Sequence, residues 1–207
     1  VSGGGDTVAA LNVAGVTEIT ISFNDDGPVI NAAGDAGTVY EADLPSGTVQ
    51  DASGLTATGH LHIEWGADNA NPTSGAGAHD RSVAFTNNSV TVMGDDGSTV
   101  SHLTSNGQTV HYMLSGGELI GYTGSSAHPN QVFTVSLNDG GDGSYTFTLK
   151  GTLDDPKAVD GLTFTFNYTA TDSDGDTSSN TFAVTVKDDH PIAGIGTGAS
   201  VEEAHLL

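Results

Sequence analysis

Apolar and polar residues alternate with a period of two through most of this chain, and no segment keeps a helical period beyond two turns. That spacing places every second side chain on one face of an extended strand, so it commits the chain to half-buried β-strands. The clearest runs put Leu61, Ile63 and Trp65 on one face, then Val110, Tyr112 and Leu114, then Phe133, Val135 and Leu137. Tyr145, Phe147 and Leu149 follow, then Leu162, Phe164, Phe166 and Tyr168, then Phe182, Val184 and Val186. Clusters such as Asn138-Asp139-Gly140-Gly141-Asp142-Gly143 bound the runs and read as hairpin loops. The expected fold is all-β, an antiparallel β-sandwich.

An internal repeat sets the expected layout. Phe23-Asn24-Asp25-Asp26-Gly27-Pro28 matches Val186-Lys187-Asp188-Asp189-His190-Pro191, and Thr38-Val39-Tyr40-Glu41-Ala42 matches Ser200-Val201-Glu202-Glu203-Ala204. The two offsets differ by one residue, which indicates a tandem array of one kind of module. Residues 1–24 are then the tail of a preceding module, 25–189 a complete module, and 190–207 a linker and the start of the next. The chain reads as a fragment excised from a longer protein.

Charge narrows the partners. The 207 residues carry 26 acids against four bases, Arg81, Lys150, Lys157 and Lys187, for a formal charge of −22. No clustered Lys and Arg offer a surface for phosphates, so nucleic acid is excluded as a natural partner. Cysteine is absent, which removes disulfides, thiolate metal sites and thiol nucleophiles. No apolar run approaches the ~18 residues of a membrane helix, and membrane insertion is not expected. Of the acids, 20 are Asp and 6 are Glu, a bias toward turns and hard-cation ligation.

The sharpest motif is Asp172-Ser173-Asp174-Gly175-Asp176-Thr177, between two expected strands. Three carboxylates at alternate positions, with a glycine for a sharp turn, can converge on Ca²⁺, which takes six to eight oxygens at roughly 2.3–2.6 Å. It is not an EF-hand loop, because Thr177 and Ala183 stand where that pattern needs Gly and Glu. The junction acids are the candidate co-ligands. If the following strand runs to the far end of the sandwich, the loop faces Asp25, Asp26 and Glu41, an arrangement resembling cadherin-type calcium clamps. If the strands fold otherwise, the partners are Asp188, Asp189 and Glu203.

Two weaker clusters stand out. His60, His62 and Glu64 share the polar face of one expected strand and could ligate zinc, although a solvated strand face needs no metal. The longest loop, residues 66–81, carries Asp68, Asn69, Asn71 and Asp80 and ends at Arg81, the only arginine. Oxygen donors beside one planar cation suggest a polar-ligand site in which Arg81 grips a carboxylate, with Tyr122 facing it; a surface ion pair is the plainer alternative. Catalytic signatures are missing: there is no Gly-x-Ser-x-Gly elbow, no His-Glu-x-x-His and no phosphate-cradling loop. The chain is not expected to be an enzyme.

Taken together, Trp65-Gly66-Ala67-Asp68-Asn69-Ala70-Asn71-Pro72, Asp80-Arg81-Ser82-Val83, Leu103-Thr104-Ser105-Asn106-Gly107, Val132-Phe133-Thr134-Val135, Tyr145-Thr146-Phe147-Thr148-Leu149 and Ala170-Thr171-Asp172-Ser173-Asp174-Gly175-Asp176-Thr177, followed by Asp188-Asp189 and Pro191, resemble tandem modules of giant type I-secreted repeats-in-toxin adhesins of Gram-negative bacteria. The resemblance covers nearly the whole chain. It implies an Ig-like or cadherin-like sandwich with calcium at the Asp172 loop and the Asp-Asp-x-Pro junctions. It also implies an extracellular, cell-surface setting, a monomeric module, and a role in attachment and biofilm formation. Within that family the expected function is a calcium-dependent module that binds a peptide or glycan of a host or neighbouring cell, through Asp68, Asn69, Asn71, Asp80, Arg81 and Tyr122. The alternative is a calcium-rigidified spacer that contacts only adjacent modules of its own chain.

Overall fold

A computed structural model describes residues 25–72, 79–155 and 159–190. The chain is all-β. In order, the strands are β1 (Val29–Ile30), β2 (Gly37–Tyr40), β3 (Thr56–His60), β4 (Ile63–Glu64), β5 (Ser82–Gly94), β6 (Thr104–Ser105) and β7 (Gln108–Thr109). They continue with β8 (His111–Ser115), β9 (Glu118–Ser125), β10 (His128–Asn138), β11 (Ser144–Leu149), β12 (Gly161–Thr171) and β13 (Thr177–Lys187). Five strands form one sheet in the order β3-β11-β10-β9-β8, and four form another in the order β2-β13-β12-β5. The pairs β1–β4 and β6–β7 form two small ribbons.

The alternating runs build the core as their period requires. Phe133 and Phe147 of the five-stranded sheet and Phe164, Phe166 and Phe182 of the four-stranded sheet are all buried. Phe133 meets Phe164 edge-on at 5.3 Å between ring centroids, and Tyr145 stacks on Phe182 at 4.2 Å, so the rings join the two sheets. Each such side chain contributes about 1.5–3 kcal/mol by leaving water, and each ring pair about 0.5–1.5 kcal/mol more. The polar tips of the buried tyrosines are satisfied: Tyr145 donates to the Asp35 carbonyl at 2.9 Å and Tyr168 to the Leu61 carbonyl at 2.8 Å. Burial pushes both phenols up to about 12.

Three details differ from the sequence expectation. Strand β2 joins β13 in parallel, Lys187 opposite Tyr40, where only antiparallel pairs were expected. The run Leu61–Trp65 is not one strand, because His62 adopts φ 56° and breaks it between β3 and β4. Leu61, Ile63 and Trp65 are nonetheless all buried. In the second run Val110 is buried ahead of β8, while Leu114 is 45% exposed.

The β12–β13 hairpin fixes the positions of the acids. Its eleven paired residues run from Gly161 opposite Lys187 to Thr171 opposite Thr177. At ~3.3 Å per residue the Asp172 loop and the Asp188 end stand about 35 Å apart. Strand β1 pairs Val29 with Glu64, which brings the entering segment 25–28 to the turn after β4 at the Asp172 end. Strand β2 ends beside Lys187, which delivers Glu41 to the Asp188 end.

Candidate metal centre

The Asp172 loop is wound around one carboxylate. Asp172 is 2% exposed, and its Oδ1 accepts the backbone N–H groups of Gly175 at 2.9 Å and Asp176 at 2.8 Å. Its own N–H closes the loop onto the Asp176 carbonyl at 3.0 Å. Gly175 takes φ 115°, a conformation that costs glycine little and other residues much. The loop thereby turns its alternate side chains inward: one oxygen from each of Asp172, Asp174 and Asp176 falls within 4.8 Å of the others.

Two further segments reach the same place. Asp25, Asp68 and Asp174 form a second set within 4.8 Å, so Asp174 belongs to both. Asp26 braces the approach by accepting the Ala67 N–H at 3.0 Å, and the Ser173 N–H donates to the Asp68 carbonyl at 3.0 Å. A Cβ on Gly66 would meet Asp26 Oδ2 at 2.7 Å and one on Gly27 would meet Asp176 Cβ at 3.1 Å, so both glycines permit the close packing of these segments.

Like charge and burial strain the cluster electrostatically. The charge of Asp174, ahead of desolvation and the charges of Asp176 and Asp68, holds the Asp25 carboxyl above its ordinary value. Burial first, and then the neighbouring Asp174, raises Asp172. Asp172 Oδ2 is buried with no hydrogen-bond partner, a state that costs about 1–3 kcal/mol or more for a charged group. An all-oxygen set suits a hard cation, and ligands facing each other across Ca²⁺ at roughly 2.3–2.6 Å stand about 5 Å apart, so carboxylate oxygens within 4.8 Å of one another are near enough to share such an ion. Asp172, Asp174, Asp176, Asp25 and Asp68 are the residues that fit an ion here.

The other candidate ligands are sorted by the strand topology. Glu41 lies at the far end with Asp188 and Asp189 and not beside the Asp172 loop. It is 4% exposed, its Oε1 accepts the Leu153 N–H at 2.6 Å, and burial pushes its carboxyl up to about 8. Asp155, which the sequence reading missed, joins this group with one buried unpartnered oxygen and a carboxyl raised by burial to about 7. Asp189 is committed to Thr48, accepting from its N–H at 3.0 Å and from its hydroxyl. Among the described residues, the sets of three His or acidic donors within 4.8 Å are the two at the Asp172 loop. Glu203 lies outside the described residues.

The described residues of the expected ligand loop, and the three residues that could ligate zinc, make contacts within the protein. Arg81 stacks over Trp65, with its guanidinium carbon 4.6 Å from the ring centre, and donates to the carbonyls of Asp139 at 2.9 Å and Gly141 at 3.2 Å. Asn71 reaches Asp139 Oδ1 at 3.4 Å, Asn69 donates to the Gly66 carbonyl at 3.1 Å, and Asp80 is buried. Asp68 instead lies with Asp25 and Asp174. Tyr122 pairs with Gln131, seven residues from the end of β10 at Asn138, so it stands roughly 23 Å along the strand from the hairpin that Arg81 holds. His60 contacts Asp142 at 2.7 Å and His62 contacts Asp35 at 2.8 Å, whereas Glu64 lies in β4, opposite Val29.

Comparisons with protein-family models, curated proteins and solved structures find no match.

Proposed function

We propose that this chain is a calcium-braced spacer module of an extracellular repeat adhesin, an Ig-like sandwich whose entry point is locked by a bound ion. The observation that carries the reading is the convergence of acids from the entering segment, the 66–68 turn and the 172–176 loop around an Asp172 oxygen that has no protein partner. Such an ion would tie the incoming chain to the body of the module, which is how a string of modules resists bending. The inward commitment of Arg81 favours this reading over a ligand site in the 66–81 loop. The repeat at Asp188-Asp189 supports one joint per module, and the resemblance to repeats-in-toxin adhesins supports the extracellular setting.

Calorimetric titration of chelator-stripped protein with calcium, with Tm read in parallel, tests it. At a thousandfold excess over Kd, one ion adds about 4 kcal/mol, equivalent to roughly 8–16 °C in Tm for a chain of this size. A Tm indifferent to calcium overturns the proposal.

A further inference from the structure

A second cavity lies on the five-stranded sheet, away from the Asp172 loop. A cavity of about 270 Å³ opens between the β6–β7 ribbon and strands β9 and β10, lined by Ser105, Asn106, Gln108, Thr123, Asn130 and Gln131 above a floor of Val132. None of the residues lining it is charged, in a chain whose net charge is −22. Ser105 and Thr123 are 4% and 6% exposed, and among the described residues neither hydroxyl has a hydrogen-bond partner. Neither oxygen is sealed from solvent either, unlike those of Asp155 and Asp172, so both hydroxyls present their hydrogen-bonding capacity to the cavity.

The rim is built in advance of any ligand. Asn106 and Gly107 both take positive φ, 51° and 73°, as a two-residue hairpin turn needs. Asp154 pins that turn by accepting the N–H groups of Asn106 at 3.0 Å and Gly107 at 2.7 Å. The Asn106 amide donates to the Thr152 hydroxyl at 3.2 Å, which fixes the amide and leaves its oxygen as an acceptor. Gln131 Oε1 accepts from the Lys150 ammonium at 2.7 Å, which leaves its NH₂ as a donor. A bulge between Gln131 and Phe133 shifts the β10 register at this point, a device that re-aims side chains.

We infer that this cavity binds a neutral saccharide, one sugar ring at a time. Amides and hydroxyls offer donors and acceptors together, which is what sugar hydroxyls require, and the absence of charge in the lining disfavours anions, cations and peptide termini. A volume of about 270 Å³, just below the ~300–1,000 Å³ of drug-sized pockets, has room for a single sugar ring. The inference is independent of the calcium reading, since no lining residue belongs to the acidic clusters.

The test is ¹H–¹⁵N NMR of the calcium-loaded protein with glucose, galactose, mannose, N-acetylglucosamine and fucose at millimolar concentrations, with Tm recorded for every variant. At least one sugar should move the side-chain amide signals of Asn106, Asn130 and Gln131, and Thr123→Val should weaken that binding about tenfold, the loss expected when a sugar hydroxyl faces a methyl group. If Thr123→Val fails to fold, Asn130→Ala decides in its place. Silence of those amides across the panel, or full binding by the folded variant, overturns the inference. Neither result bears on calcium, which the separate titration decides.

Discussion

Arg81 shows how little a residue's type says about its employment. Its position beside four polar residues in the longest loop suggested a grip on a foreign carboxylate, because sequence gives no sign that Trp65 and the 139–141 carbonyls lie within reach. In the structure one guanidinium stacks on an indole and satisfies two hairpin carbonyls. Arg81→Ala should therefore cost about 2 kcal/mol, from the lost stacking and two charge-assisted bonds, and lower Tm by several degrees. An unchanged Tm would return Arg81 to the list of ligand contacts. Glu41 carries a second prediction. The folded protein holds its proton up to about pH 8, whereas the unfolded chain releases it near 4.5. Between those values the folded state binds more protons, so the stability of chelator-treated protein should fall as pH rises from about 4.5 to 8. Asp155, raised to about 7, adds to the same slope. Glu41→Gln should flatten the dependence of Tm on pH; a slope equal to that of the parent would assign it to other groups.

Strands with an unbroken period of two were legible because the cause is local: β11, β12 and β13 bury their apolar faces where the alternation put them. The break at His62 was not, because its left-handed backbone accompanies contacts to Asp35 and Asp142, carboxylates remote in the chain. The acidic cluster divides in the same way. Asp172, Asp174 and Asp176 announced themselves by spacing, and Asp25 by the repeat, while Asp68 joined them only through the pairing of β1 with β4. Glu41 followed the parallel β2 to the other end, a direction no local pattern encodes. The β9–β10 pair holds another cause invisible in sequence: a Cβ on Gly121 would come within 2.6 Å of Phe133 ring atoms, so β9 needs a glycine to admit that ring. Gly121→Val should destabilise the fold by about 3 kcal/mol through overpacking, read as a lower urea midpoint with an unchanged slope. A midpoint equal to the parent's would mean that the Phe133 ring has room to move aside.

Across the whole molecule the formal charge of −22 opposes compaction, and the two ends of the β12–β13 hairpin are where the acids concentrate. Diffuse screening and a bound ion relieve that repulsion differently. Salt at 0.1 M screens exposed charges beyond about 10 Å but does little for carboxylates packed within 4.8 Å of one another, Asp172 among them with its buried oxygen. Raising sodium chloride should thus recover only part of the Tm lost on chelation, and calcium should restore the rest. Magnesium separates geometry from charge, since it carries the same two positive charges but requires ligands at about 2.0–2.1 Å and sheds water reluctantly. A flexible set of carboxylates suits an ion that accepts six to eight oxygens better than one that demands a strict octahedron and keeps its waters, so under the proposed calcium reading magnesium should raise Tm much less than calcium at equal concentration. Asp174→Ala, which removes the one carboxylate common to both sets, should abolish the difference between the two cations while leaving the response to sodium chloride in place. Equal stabilisation by both ions in the parent protein would point to a cloud of counter-ions instead of a bound one, and the proposed rigid joint would lose its physical basis.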